Sequence, residues 1–174
     1  MKNENKKTSR AAKWRSYAIQ ALLFIIVVAG MRIWQQRDML SGMAPALQGN
    51  TLSGLAYKLP VHPAHPVLVQ FWATWCPICR AEQSSIAEIA HNNPNVITVA
   101  MSSGRPEEVL KHMREQGIDF PAINDPDGSL SGAWGVHAVP ASFIIAPDGQ
   151  IRFVEVGYTT GIGLRLRLWL AGLG

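Results

Sequence analysis

The sequence predicts an α/β domain with a mixed β-sheet, preceded by one N-terminal transmembrane helix. Three observations lead to this prediction. A charge-free apolar run lies near the N-terminus, and apolar runs typical of buried strands alternate with helical patterns in the rest of the chain. The only two cysteines form a Cys-x-x-Cys motif at a point where a predicted strand is followed by a predicted helix.

Residues 1–16 are predicted to form a basic cytoplasmic head and residues 17–36 a membrane anchor. No charged residue occurs from Ser16 to Met31, and with its aromatic flanks this segment approaches the ~20 residues that a bilayer requires. Because most of the nearby basic residues precede the apolar run, the positive-inside rule leaves the N-terminus in the cytoplasm. The rest of the chain is then exported to the periplasmic side of a bacterial inner membrane. A cleaved signal peptide is the alternative, and it predicts the same compartment.

The net charge of +4 is unevenly distributed along the chain. Residues 1–37 carry eight Lys/Arg against Glu4 alone, a charge of +7, whereas the remainder carries eight Lys/Arg against eleven Asp/Glu, a charge of −3. The basic charge therefore belongs to a short N-terminal segment and not to the surface of the folded part. This distribution argues against nucleic-acid binding.

Residues 37–50 are predicted to be a linker, because glycine and proline recur there, and residues 51–174 to be the folded domain. The predicted elements are a buried strand at 67–72, a helix at 76–91, a buried strand at 96–100, a helix at 106–116 capped by Ser103, a short strand at 120–123, a short helix at 130–134, and a hairpin of strands at 142–146 and 150–156. The stretch 164–170 alternates Leu and Arg, a pattern that suits a strand as well as a helix.

The cysteine pair is predicted to be a redox site. A structural bridge between Cys76 and Cys79 would close too short a loop to remove much entropy from the unfolded chain. At a helix N-terminus the dipole favours a thiolate, and Pro77 suits the first helical position because its missing N–H costs nothing there. Cys79 lies one turn further on, within reach of a mixed disulfide at Cys76. We therefore expect Cys76 to attack and Cys79 to resolve.

A metal site is the alternative interpretation of the cysteine pair. Zinc would require two further ligands, for which His62, His65 and His137 are the candidates. The segment from His62 to His65 could also bind copper as an exposed loop. We assign no metal ligand, and no cofactor other than the redox-active Cys76–Cys79 disulfide.

Three motifs of the chain resemble those of a known family. They are Phe-Trp-Ala-Thr-Trp-Cys-Pro-Ile-Cys-Arg at 71–80, Val139-Pro140 before a predicted strand, and Pro-Asp-Gly-Gln-Ile-Arg at 147–152. From about residue 45 to the end the chain resembles the TlpA-like branch of the thioredoxin superfamily, and most of all the membrane-anchored protein disulfide oxidoreductases of the ScsD type, which are associated with copper tolerance.

The resemblance implies a thioredoxin-like fold for residues 51–174, in which a cis Pro140 packs against the cysteine pair. Val139 would present its backbone to an extended substrate. Trp75, Pro77 and Ile78 would shape the site and its substrate groove, with Trp75 shielding the sulfur from solvent.

Gln70 departs from the pattern of cytoplasmic thioredoxins, which have a buried Asp in the strand before the motif. Because an amide cannot take up a proton, that route for deprotonating Cys79 is absent. A water molecule, Glu155 or Glu82 would have to replace it.

We expect an exported thiol–disulfide oxidoreductase that acts on disulfides of other exported proteins and has a link to copper or oxidative stress tolerance. A membrane electron-donor protein is a possible partner. A thiol reductase for cytochrome c maturation and a copper-binding module built on the cysteine pair are the alternatives. A peroxidase is disfavoured because Thr74 lies only two residues before Cys76. The motif leaves the direction of electron flow open.

Overall fold

The computed structural model describes residues 42–173, together with residues 17, 19, 20, 22–24, 26 and 27 of the predicted anchor. The chain divides into two compact units, residues 1–38 and 39–174. The described anchor residues are helical and exposed, and the predicted head lies outside the described residues. Within the described part of the chain, no helix combines the length and the apolar character that crossing a membrane requires.

A six-stranded mixed sheet forms the centre of the second unit, as the alternating pattern predicts. Its strands are β1 (Gly42–Met43), β4 (Val67–Trp72), β5 (Val96–Met101), β6 (Ala122–Asp125), β7 (Ala141–Ile145) and β8 (Gln150–Val156). They are arranged in the order β1-β8-β7-β4-β5-β6. β4, β5 and β6 are parallel, and β7 is antiparallel to both of its neighbours, β4 and β8.

Short strands also occur in the stretch that the composition assigns to the linker. β1 pairs with β8, and β2 (Gln48–Asn50) pairs with β3 (Ala56–Lys58) in a separate two-stranded sheet. Leu47, which directly precedes β2, is 1% exposed in the core. The glycine and proline residues of this stretch therefore separate short paired segments, and the folded unit begins before residue 51.

Four helices within residues 42–173 complete this unit: α1 (Pro77–Asn92), α2 (Pro106–Gln116), α3 (Ser129–Ala133) and α4 (Gly161–Ala171). Proline begins α1 and α2, where a missing N–H leaves no hydrogen bond unmade. The cap of α2 is Arg105 and not Ser103, and the helix ends at Gly117 with a left-handed φ of 62°. The stretch 164–170, whose Leu–Arg alternation suits a strand as well as a helix, is helical and belongs to α4. Leu164, Leu168 and Ala171 form the buried face of this helix.

The core consists of one cluster on each face of the sheet. In β4, Leu68 and Trp72 point to the face that α1, α2 and α4 cover. On the opposite face, Phe71, Trp134 and Phe143 form an aromatic group with ring centroids 5.1–5.6 Å apart. Because side chains alternate along a strand, Gln70 shares the face of Leu68 and Trp72 and is directed towards the helices.

Candidate active site

The two cysteines form a disulfide at the start of α1, directly after the loop that follows β4. Their Cα atoms are 5.3 Å apart, and Cys76 and Cys79 are 4% and 2% exposed. Cys76 caps the helix with an extended backbone, and its Sγ accepts a hydrogen bond of 3.0 Å from the Cys79 N–H. This N–H and the helix dipole favour negative charge on the Cys76 sulfur once the disulfide is reduced.

The chain segment before β7 lies against the disulfide. The Val139–Pro140 peptide bond is cis, the isomer that the resemblance implies. The Val139 carbonyl oxygen lies 3.6 Å from Cys76 Sγ, and Pro140 is buried. Val139 thus brings backbone atoms to the sulfur that is expected to attack.

The loop after β5 holds the segment that leads to the disulfide. The Trp75 indole N–H donates to the Ser102 carbonyl at 3.0 Å, and the Thr74 N–H donates to Ser103 Oγ at 3.0 Å. Ser102 adopts a positive φ of 45°, which non-glycine residues rarely do. The expected cap of α2, Ser103, therefore supports the active-site loop instead.

Two exposed apolar side chains neighbour the buried disulfide in the sequence. Trp75 is 59% exposed and Ile78 is 49% exposed. The sulfur atoms are buried while the Trp75 side chain is open to solvent, so this side chain forms part of an accessible rim. Such a rim is suited to contact apolar side chains of a second protein.

A buried acid lies one helical turn after Cys79. Glu82 is 1% exposed; its Oε1 accepts from the Thr159 N–H at 2.7 Å and its Oε2 from Gln70 Nε2 at 3.1 Å. Gln70 Oε1 in turn accepts from the Ser142 hydroxyl at 2.5 Å. Burial raises the pKa of Glu82 to about 7, against the smaller lowering by the two hydrogen bonds. This carboxyl group can therefore gain or lose a proton near neutral pH.

The two proposed proton carriers are placed differently. Glu82 follows Cys79 by three residues on the same helix, a spacing that brings side chains together. Glu155 lies on β8 and forms an ion pair with Arg167 at 2.7 Å. The contact of Gln70 with Glu82 was not evident from the sequence, although a polar residue inside an apolar strand signals a buried partner.

The histidines considered as metal ligands are all on the surface. His62, His65 and His137 are exposed. In the part of the chain that the structure describes, no group of three or more His, Cys, Asp or Glu side chains is arranged to hold a metal ion.

Comparison with known proteins finds a matching family and relatives named as thioredoxin-like or thiol:disulfide interchange proteins. Residues 40–154 match the family model described as the AhpC/TSA family. The chain is 31% identical over 125 residues to a thioredoxin-like protein of Haemophilus influenzae, covering 72% of each chain. It is 25% identical over 172 residues to the thiol:disulfide interchange protein DsbE of Escherichia coli strain K12, covering 89% of this chain and 90% of that protein.

Solved structures agree with the fold. A crystal structure of a putative thiol:disulfide interchange protein DsbE from Chlorobium tepidum is similar with a TM-score of 0.66 and 25% sequence identity. The similarity covers 78% of this chain and 99% of that chain. The thioredoxin-like α/β fold with a mixed central sheet is thereby confirmed.

Proposed function

The chain belongs to the AhpC/TSA family and is a protein disulfide oxidoreductase, and we propose that it exchanges thiols and disulfides with other exported proteins at the periplasmic face of a bacterial inner membrane. The observation that carries the proposal is the Cys76–Cys79 disulfide at the N-terminus of α1. A helix N-terminus supplies the positive field that a nucleophilic thiolate needs.

In the reducing direction, the Cys76 thiolate attacks one sulfur of a substrate disulfide. The substrate S–S bond breaks, its other sulfur leaves as a thiolate, and a mixed disulfide with Cys76 forms. Cys79 then loses its proton and attacks Cys76 Sγ, and the second substrate sulfur leaves as a thiolate. Two electrons have passed to the substrate, and the Cys76–Cys79 disulfide has formed. In the oxidising direction the same steps run in reverse.

Glu82 is the proton carrier in this proposal. As a carboxylate it takes the proton of the Cys79 thiol before the second attack, and as an acid it returns a proton when Cys79 is the leaving group. Its buried position one turn after Cys79 and its pKa of about 7 support this role. Glu155 is less suited to it because its carboxylate is already engaged by Arg167.

The proposed substrate-binding surface combines backbone and apolar groups. The backbone of Val139, beside the disulfide, pairs with an extended segment of the substrate, while Trp75 and Ile78 contact its side chains. Pro77 and Pro140 hold the two chain segments that carry these groups.

The membrane anchor, the electron donor and the link to copper tolerance are part of the proposal. The charge-free run from Ser16 to Met31 and the basic head before it support anchoring with the catalytic domain outside. A protein acting as a reductant there needs a source of electrons, for which a membrane electron-donor protein is suited. Copper tolerance rests on the resemblance of the motifs at 71–80 and 139–140, and is tested by the growth of a deletion strain on copper salts.

Trapping of mixed disulfides tests the main proposal. The variant Cys79→Ala should accumulate exported proteins bound to Cys76, because the resolving thiol is missing. The matched control is Cys76→Ala, which lacks the sulfur beside the Val139 backbone where the substrate is proposed to bind, and it should trap far less. If neither variant holds any exported protein in a bond that thiols can cleave, the proposed exchange reaction is wrong.

A thiol reductase of cytochrome c maturation is a narrower second candidate. It is favoured by the similarity to DsbE of Escherichia coli over 172 residues and by the Trp-Ala-Thr-Trp-Cys-Pro-x-Cys motif, which such reductases share. The reduction potential of the unit from residue 39 onwards separates the directions: a value near −270 mV indicates a reductant and one near −120 mV an oxidant. Normal haem attachment in a deletion strain would exclude this candidate.

A further inference from the structure

The outward side of α4 carries a continuous row of apolar side chains. Its members in α4 are Ile162, Leu166, Trp169 and Leu170, which are 79%, 54%, 62% and 42% exposed, and Leu173, 66% exposed, follows just after the helix ends. At 3.6 residues per turn the four positions within α4 fall within an arc of about 100° on one side of the helix. The buried residues of α4 occupy the opposite side. We call this set the outer row; α4 is therefore apolar on two faces, of which the fold covers one.

Arginines border the outer row on both sides. Arg165 pairs with Glu88 of α1 at 2.7 Å, and Arg167 pairs with Glu155 of β8 at 2.7 Å. Both guanidinium groups thus lie at the boundary between the packed face and the exposed face. An apolar stripe with an exposed tryptophan and bordering arginines is typical of helices that lie in a membrane interface.

The C-terminal half of α4 lies at the end of the sheet where the chain enters the fold. Gly42 of β1 pairs with Ile151, near the start of β8. Trp169 lines a shallow cavity of about 300 Å³ with Pro66, which directly precedes β4. Because β4 and β8 run in the same direction, their starts lie at the same end of the sheet. The disulfide follows the other end of β4.

Few residues separate the predicted anchor from β1 along the sequence. If it ends at residue 36, residues 37–41 connect it to β1, and five extended residues span at most ~18 Å. The folded unit is thereby held near the lipid surface, so that even a weakly apolar face meets lipid at high effective concentration.

We propose that the outer row of α4 docks onto the lipid surface of the membrane that anchors the chain; this rests on the anchoring part of the proposed function. Docking lays α4 along the membrane plane. The disulfide lies at the N-terminal end of α1, which packs against α4. Glu82, one turn after Cys79, accepts from the Thr159 N–H just before α4 begins, so the disulfide lies towards the N-terminal end of the lipid-bound helix. The partners served best in this position are those that present thiols or disulfides at the membrane surface.

A lipid-quenching experiment on the full chain tests the proposal. In a Cys76→Ser, Cys79→Ser background, a fluorophore is attached through Leu166→Cys in the outer row or, as matched control, through Lys111→Cys on the exposed side of α2. Each protein is inserted, one chain per disc, into nanodiscs of phosphatidylethanolamine and phosphatidylglycerol containing a nitroxide-labelled lipid. We expect at least threefold stronger quenching at position 166 than at position 111, and loss of this difference in Trp169→Glu.

Equal quenching at the two positions would overturn the proposal. So would a label at position 166 that is shielded from aqueous iodide but not quenched by lipid, because a protein, such as a second copy of the chain, would then cover the outer row.

Failure of the full chain to enter nanodiscs would instead contradict the anchor. In that event the unit 39–174, which contains both core clusters, is tested on vesicles of the same lipids. Binding that Leu166→Glu abolishes supports the proposal, and absence of binding overturns it.

Discussion

Replacing Glu82 by Gln should remove most of the loss of stability that the oxidised protein shows as pH rises from 4.5 to about 7. The two side chains have nearly the same shape, and the amide oxygen can still accept from the Thr159 N–H. The new NH2 group faces the Gln70 amide, which must turn over so that its oxygen accepts there and its NH2 donates to the Ser142 hydroxyl. The amide cannot ionise, however. The substitution therefore tests the charge of the buried group and leaves its packing in place.

The sign follows from the two protonation equilibria. In the unfolded chain the Glu82 carboxyl ionises around its ordinary pKa of 4.5, whereas in the fold burial raises the pKa to about 7. As pH rises between these values, the unfolded state releases the proton first, so the free energy of unfolding falls. The difference of 2.5 pH units corresponds to at most ~3 kcal/mol, at 1.36 kcal/mol per unit. The variant should therefore gain stability relative to the unsubstituted protein as pH rises from 4.5 to about 7.

Urea unfolding of the oxidised proteins at several pH values between 4 and 8 measures this difference. Other titrating groups cancel when Glu82→Gln is compared with the unsubstituted protein at each pH. Glu88→Gln is the matched control, since Glu88 lies on the same helix with its side chain 64% exposed, and it should retain the slope of the unsubstituted protein. The reasoning is refuted if Glu82→Gln and the unsubstituted protein differ by the same free energy at pH 4 and pH 8.

Three further outcomes are expected. Desolvation and the nearby Arg80 lower the pKa of His112, so the folded state loses stability as pH falls below the ordinary value of 6.5. In thermal melts, His112→Phe should lose less stability than the unsubstituted protein as pH falls through this range. An equal dependence of melting temperature on pH in the two proteins would contradict this prediction. Ser102→Gly should raise stability by about 1 kcal/mol in urea unfolding by relieving the positive φ, whereas Ser102→Val should lower it. Asp125→Ala should cost about 2–4 kcal/mol, because the 1% exposed carboxylate accepts three hydrogen bonds from the start of α3; Asp127→Ala, an exposed control, should cost less than 1 kcal/mol.

The main elements of the fold could be predicted from the sequence because their signals are local. The apolar run of β4 and the proline at the start of α1 each report their own surroundings. β1 and β2 could not be predicted, since strands of two or three residues have no periodicity to detect. The alternation at 164–170 fitted two structures equally, and only burial of Leu164 and Leu168 against the sheet decides for a helix.

The candidate site shows the same division between local and tertiary information. The position of Cys76 at a helix start follows from neighbouring residues alone. The partners of Glu82 come from β4 and from the chain before α4, 12 and 77 residues away along the sequence. Ser102 and Ser103 likewise reach the active-site loop across about 28 residues. A single sequence contains no record of such contacts.

The hydrogen bond between Gln70 and Glu82 limits this site, one turn after Cys79, to a single acidic side chain. The two side chains touch at 3.1 Å, and two carboxyl groups at that distance would share a single proton and titrate as a coupled pair. The site therefore has room for one acid, which this chain carries on the helix while the strand supplies an amide. Replacing Gln70 by Glu, which has the same length, would place a second carboxyl group against Glu82 and create such a dyad, unless position 82 were neutralised at the same time.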